Sequence, residues 1–156
     1  MSLQEKLKIE EVLLREGKYV GPTVGISMLP MLKERRDTIV VRPKTEKLKP
    51  LDVALYHRGD AYVLHRVLRQ TEMGYIIRGD NCYTDEIVPE EDVFGVLTEF
   101  FQKNKHVLCT DAKYLRYARR RIKTYRFRRF FVLTKGRVKS LIKRVLKLFG
   151  YKRGKA

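Results

Sequence analysis

The strongest constraint in this sequence of 156 residues is its division by charge. Residues 1–102 carry 15 lysines and arginines against 17 acidic residues, whereas residues 103–156 carry 20 basic residues against a single acid, Asp111. The second segment therefore has a formal charge of +19, within a chain of +17. A long block of like charge repels itself and favours a polyanionic partner. We expect one globular domain followed by a basic extension that starts at residue 103.

The remaining composition indicates a folded, cytoplasmic protein. Hydrophobic residues make up 44% of the chain, and no run approaches the ~20 apolar residues of a membrane-spanning helix. Residues 1–18 lack the apolar core and the small-residue cleavage site of a secretory signal. Cys82 and Cys109 have no metal-ligand spacing, and we expect no disulfide between them in a reducing compartment.

Hydrophobic periodicity predicts helices at the two ends and short strands between them. Residues 1–18 contain an amphipathic helix pattern that ends near Gly17, and the basic extension has helical patterns over residues 112–133 and 136–149. The predicted strands are 19–28, 37–41, 53–57, 61–69, 74–78 and 92–98. Gly59 lies between two of them, where a tight hairpin turn needs a positive φ. These elements predict a mainly β fold, a coiled antiparallel β-domain over residues 19–102.

One serine and one histidine are candidates for chemistry. Ser27 follows Gly25 closely and precedes a proline, within an apolar stretch, so its hydroxyl is held on a constrained backbone. A serine becomes a nucleophile only when a base takes its proton, and the imidazole of His65, in a predicted strand, titrates near neutral pH. Asp80 and Asp85 follow in a polar segment and can orient an imidazole. Serine, histidine and aspartate are the set needed for acyl transfer.

The motifs Ser-Met-x-Pro, His-Arg-Val and Gly-Asp-Asn followed by Asp occur in this order. Over residues 20–98 their order and spacing resemble the signal peptidase and SOS-repressor superfamily of serine peptidases. A histidine base resembles the endoplasmic-reticulum and archaeal type, because bacterial signal peptidases and SOS repressors carry lysine there. The polar helix of residues 1–18 stands where membrane-bound members have a spanning anchor.

The resemblance implies a role for each motif residue and leaves the third catalytic residue open. It implies Ser27 as nucleophile and His65 as general base. The carboxylate that orients the histidine falls at Asp85 or, with an alignment shifted by one residue, at Glu86. We favour Asp85 because its shorter side chain needs less immobilisation. Asp80 matches the Gly-Asp pair, which serves either catalysis or the folding of the loop.

Substrate contacts follow from the same resemblance. It implies that Gly25 and Met28 lie beside the side chains of the substrate, in shallow pockets for small residues. The backbone N–H of Ser27 is the natural donor to the oxyanion, since Gly25 supplies no side-chain donor. The reaction requires no cofactor and no metal ion.

The basic extension predicts a polyanionic partner of one of two kinds. In the second helical pattern the apolar residues have 3/4 spacing, which is typical of a helix that lies on an anionic membrane surface. The membrane-binding candidates are Val138, Leu141, Ile142, Val145 and Phe149. Arginines with interleaved tyrosines also suit nucleic acid, and a solvated helical extension is the third alternative.

These features together predict a serine endopeptidase that makes a single cut in a peptide or protein precursor. We expect it in the cytoplasm, peripheral on the inner face of the membrane. The alternative is a non-catalytic or self-cleaving regulatory module whose basic tail binds nucleic acid.

Overall fold

A computed structural model of the chain describes residues 8–132 and residue 134. The chain divides into two compact units, Met1–Ile122 and Lys123–Ala156. In the second unit, residues 125–132 are helical. The predicted helix over 136–149, with the five membrane-binding candidates, lies outside the described residues.

The first unit is mainly β, with a curled antiparallel sheet and short helices. The described strands are β1 (Tyr19–Pro22), β2 (Asp37–Pro43), β3 (Val53–Arg58), β4 (Ala61–Thr71), β5 (Gly74–Arg78), β6 (Glu86–Val88), β7 (Val93–Gln102) and β8 (Lys105–Leu108). Helix α1 (Ile9–Glu16) precedes them, a 3-10 turn (Glu90–Asp92) precedes β7, and helix α2 (Ala112–Lys123) follows them. The order in the sheet is β1-β2-β7-β3-β4-β5-β6, and β8 also pairs with β7.

The hairpin of β3 and β4 forms as the sequence predicts. Gly59 has φ +59° in the two-residue turn, and Arg58 pairs with Ala61 across it. This turn fixes the register, so Ala54 lies opposite His65 and Tyr56 opposite Val63. The register brings Tyr56 and His65 onto the same face of the hairpin, as diagonal neighbours.

The curled sheet has apolar residues packed on both of its faces. Along β3, Val53 and Leu55 belong to one buried cluster, whereas Ala54 and Tyr56 belong to the other. This alternation with period two places successive side chains of one strand in different clusters. The first cluster also contains Leu13 of α1, so this helix packs on the core as its sequence pattern predicts.

Helix α1 ends where the sequence predicts, and the largest departures from the predicted boundaries lie at the end of β1 and at the end of the β-domain. Gly17 caps α1 with φ +68°. The strand predicted over 19–28 ends at Pro22, and residues 23–36 form a loop instead. The predicted boundary at residue 102 does not match the division into units, because β8 pairs with β7 and because Tyr114 and Ala118 of α2 are buried.

No helix in the described part of the chain is long and apolar enough to cross a membrane.

Candidate active site

Ser27 lies in the loop that joins β1 to β2, and Asp37 holds the far end of this loop. The Asp37 carboxylate is 1% exposed, and it accepts hydrogen bonds from the Lys33 N–H at 2.8 Å and from the Arg36 guanidinium. Burial by itself raises the pKa of Asp37, but the bonds from Arg36 and Lys33 bring it below its ordinary value. An ionised Asp37 thus closes the loop at its base.

Apolar anchors surround Ser27 within the same loop. Met28 and Leu32 are 5% and 2% exposed, and the Leu32 N–H bonds the Met28 carbonyl at 3.0 Å. Gly25 has φ +85°, a left-handed conformation that L side chains rarely adopt. Ser27 itself is half-buried, and these contacts fix the backbone on both sides of it.

His65 lies on β4 with its ring almost fully enclosed, at 2% exposure. Its Nδ1 is 3.2 Å from Glu86 Oε1 and 3.1 Å from the Tyr56 hydroxyl, which donates to Glu86 Oε2 at 3.0 Å. A carboxylate only accepts hydrogen bonds, and the single tyrosine hydrogen is already given to it. We therefore assign the ring proton to Nδ1, which leaves the lone pair on Nε2.

The environment of His65 keeps the imidazole neutral near pH 7. Burial lowers its pKa below the ordinary value, and the charge of Glu86 opposes this shift only in part. Nε2 is buried and has no hydrogen-bond partner among the described residues. A neutral ring with a free basic nitrogen is the form that a general base needs.

Gly79 lies between this nitrogen and the Ser27 loop. A Cβ built on Gly79 would be 2.8 Å from the Ser27 carbonyl oxygen, 2.9 Å from His65 Nε2 and 2.7 Å from Cys82 Sγ. The next residues bond the same loop, since the Asn81 N–H donates to the Ser27 carbonyl at 2.7 Å. The absence of a side chain at residue 79 thus lets the Ser27 backbone carbonyl and the His65 ring both pack closely against this residue.

The structure places the predicted acidic residues differently from the sequence analysis. Asp85 does not face His65, because its carboxylate pairs with Arg78 at 2.9 Å and half of its side chain is exposed. Glu86, the alternative one residue later, occupies the position expected for Asp85. Of the two predicted candidates, Glu86 and not Asp85 therefore lies beside the His65 ring.

Asp80 corresponds to the loop-forming alternative. Its carboxylate is 4% exposed and accepts two hydrogen bonds from Arg66, both at 2.8 Å. The Tyr117 hydroxyl donates to the same carboxylate at 3.0 Å. Arg66 and His65 leave opposite faces of β4, as alternation along a strand requires.

A cleft of about 1050 Å³ runs past Ser27. Gly25, Met28 and Cys82 line it together with Ser27, so both predicted substrate-contact residues face this space. Other lining residues are mainly apolar: Ile9, Tyr19, Pro22, Val24, Ile26, Leu32, Ile39, Leu55, Val63 and Leu64. Lys8 and Arg58 also line the cleft, and none of the described lining residues carries a carboxylate.

Sequence reasoning missed the hydroxyl of Tyr56 and the role of Gly79. The hairpin register contains the signal for Tyr56, because a two-residue turn at Gly59 makes it the diagonal neighbour of His65. The position of Gly79 depends on a contact between distant loops, which no local pattern encodes.

The described residues contain no group of three or more histidine, cysteine or acidic side chains that could hold a metal ion. Cys82 and Cys109 are free thiols. Burial raises the pKa of both, that of Cys109 to about 12.

Comparison of the chain with protein-family models, with curated proteins and with solved structures gives no match.

Proposed function

We propose that this protein is a serine endopeptidase that cuts a peptide or protein precursor through an acyl-enzyme on Ser27. We also propose that its curled sheet is of the signal-peptidase type. One observation supports the activity most strongly: a buried, neutral His65 has Nδ1 held by Glu86 and Tyr56 and a free Nε2 beside the Ser27 loop. A base with this geometry is what a serine nucleophile requires.

The reaction proceeds in two halves. His65 Nε2 takes the proton of Ser27 Oγ while the oxygen attacks the scissile carbonyl, and the Ser27 N–H donates to the oxyanion. The imidazolium returns the proton to the leaving amine, and the acyl group stays on Ser27. Water, deprotonated by His65, then attacks the ester carbonyl, and the imidazolium returns the proton to Ser27 Oγ as the acyl group leaves as a carboxylic acid. Glu86 stabilises the imidazolium that forms in both halves.

The lining of the cleft favours a substrate whose bound segment is apolar. The described lining residues are mainly aliphatic, and the charged ones among them are the cations Lys8 and Arg58. An extended apolar stretch of a precursor buries its side chains there, and a basic stretch meets like charge at those residues. A leader or signal-like segment that is exposed to the cytoplasm has this chemistry.

We propose that the second unit brings the enzyme to an anionic membrane surface. In its described helix, Phe127, Phe130 and Phe131 are 67%, 61% and 54% exposed, among arginines. Aromatic side chains beside cations favour the membrane–water interface. The five candidates from Val138 to Phe149 continue this combination in the sequence. Nucleic acid is the partner that the alternative function requires.

Peptide cleavage tests the proposed activity. A library of precursor-like peptides with apolar segments is incubated with the protein, and the products are identified by mass spectrometry. Cleavage at defined bonds is expected, with loss in Ser27→Ala and in His65→Ala. Ser140→Ala is the control and retains activity. Cleavage that persists in Ser27→Ala would contradict the proposal.

A further inference from the structure

Helix α2 is bonded to both loops of the candidate site through one side chain, Arg121. Its Nε donates to the Asp80 carbonyl at 3.1 Å, and its Nη2 donates to the Leu29 carbonyl at 3.1 Å. Leu29 follows Ser27 by two residues, and Asp80 directly follows Gly79. A single guanidinium therefore joins the backbone of the serine loop to that of the loop beside His65.

The helix that carries Arg121 is fixed in the core. Ala118 is fully buried, and Tyr114 is 5% exposed and packs against the ring of Phe100. Arg66 donates to the Tyr114 hydroxyl at 3.0 Å. Positions 114, 118 and 121 lie on one face of a helix. The buried residues Tyr114 and Ala118 therefore fix the position of Arg121 beside the two loops.

The chemistry of the guanidinium suits these two hydrogen bonds. Its planar group holds several N–H donors in a fixed fork, so two carbonyls on different segments are held at one separation. A lysine ammonium has no such fork. In serine catalysis the hydroxyl must come within ~2.6–3.2 Å of the basic nitrogen, and a displacement of ~1 Å can cost about 10²-fold in rate.

We propose that Arg121 is a positioning residue that holds the Ser27 loop against His65, so that the basic helix α2 completes the site. This inference rests on the proposed peptidase function. Helix α2 thus contributes to the geometry of the site, although its positive charge places it within the basic extension of residues 103–156.

The test compares Arg121→Ala and Arg121→Lys with Arg119→Ala, which changes an exposed arginine of the same helix. The rate of Ser27 acylation by a fluorophosphonate is measured together with thermal unfolding. We expect a fall of about 10- to 100-fold in Arg121→Ala, a smaller fall in Arg121→Lys and none in the control. Millimolar guanidinium should restore part of the rate in Arg121→Ala, without restoring it in Ser27→Ala.

A second readout is independent of activity. The backbone N–H of Asn81 donates to the Ser27 carbonyl. If Arg121 holds the two loops together, hydrogen exchange of this N–H should be faster in Arg121→Ala than in Arg119→Ala. Unchanged acylation and unchanged exchange in both Arg121 variants would overturn the proposal, as would a rate loss that only follows the unfolded fraction. If the wild-type protein is not acylated, the proposed function fails, and the exchange of Asn81 still decides the role of Arg121.

Discussion

Glu86 Oε1 lies 3.2 Å from Nδ1 of His65, and the Tyr56 hydroxyl contacts both groups. Glu86 is the first residue of β6, and its carboxylate contacts the His65 ring on β4, which is 2% exposed. Arg58 donates to both oxygens of the same carboxylate at 3.2 Å. The base of the proposed reaction is thus contacted by Glu86 from β6 and by Tyr56 from β3, and Arg58, also from β3, bonds Glu86.

The orienting role of Glu86 gives the first prediction. Glu86→Gln should lower the cleavage rate by about 10²- to 10⁴-fold, because the amide cannot stabilise the imidazolium. Asp85→Asn is the matched control and should stay within about fivefold, since a half-exposed ion pair contributes at most ~1 kcal/mol. Steady-state rates of the two purified variants decide between them. Severe loss in Asp85→Asn with an active Glu86→Gln would return the role to Asp85.

The acid limb of the pH profile gives the second prediction. Burial lowers the pKa of His65, so the rate should stay high at pH 7 and fall only below about pH 6.5, the ordinary value. Glu86 raises this pKa by its charge and Arg58 lowers it. The midpoint should therefore move to lower pH in Glu86→Gln and to higher pH in Arg58→Gln. Acylation rates from pH 4 to 9 provide the measurement.

Shifts in the reverse directions would show that the titrating group is not His65. A rate that rises only above about pH 9 would indicate a lysine as the base.

The contact around Gly79 gives the third prediction. Gly79→Ala places a methyl group under 3 Å from the Ser27 carbonyl and from His65 Nε2, so the two loops must separate. We expect acylation to fall by about 10²-fold or more, as a displacement of ~1 Å implies. Gly59→Asn is the control, because asparagine tolerates the left-handed backbone of that open turn. Wild-type acylation in Gly79→Ala would show that the loops need not stay this close.

Local patterns predicted much of this fold and only part of the site. Gly59 revealed the hairpin and Gly17 the end of α1, because both act through local backbone geometry. The strand expected over 19–28 ends at Pro22, because the Thr23 carbonyl accepts a hydrogen bond from the Arg35 N–H within the loop and Gly25 adopts a φ of +85°. The short strands β6 and β8 were not predicted, because each depends on pairing with a neighbouring strand.

The candidate site shows the same limit. Ser27 and His65 were recognisable from motifs, but the choice between Asp85 and Glu86 depends on the path of the residues between β5 and β6. A shift of one residue along that path exchanges the two carboxylates. The proposed role of Arg121 depends on the packing of α2 against the core, which the charge pattern does not indicate.

The proposed membrane contact gives the fourth prediction. The protein should float with anionic vesicles and not with neutral ones, and part of it should stay bound at high salt, because buried apolar side chains are not screened. Phe130→Glu and Leu141→Glu should each weaken this retention. Leu14→Glu, which changes an exposed apolar residue of α1, is the control and should leave retention at high salt unchanged.

Binding to nucleic acid distinguishes the alternative. Electrostatic binding to phosphates falls steeply with salt, whereas vesicle binding should fall only in part. A protein that ignores anionic vesicles and binds single- or double-stranded nucleic acid tightly would contradict the membrane proposal.

The most direct measurement is the site of covalent labelling by a fluorophosphonate. Intact protein is treated with the reagent at pH 7.5, its mass is determined, and the labelled peptide is sequenced by tandem mass spectrometry. We expect one adduct, on Ser27, that is absent in Ser27→Ala and forms at least about 10²-fold more slowly in His65→Ala. No adduct on Ser27, or one that forms equally fast without His65, would contradict the proposed function.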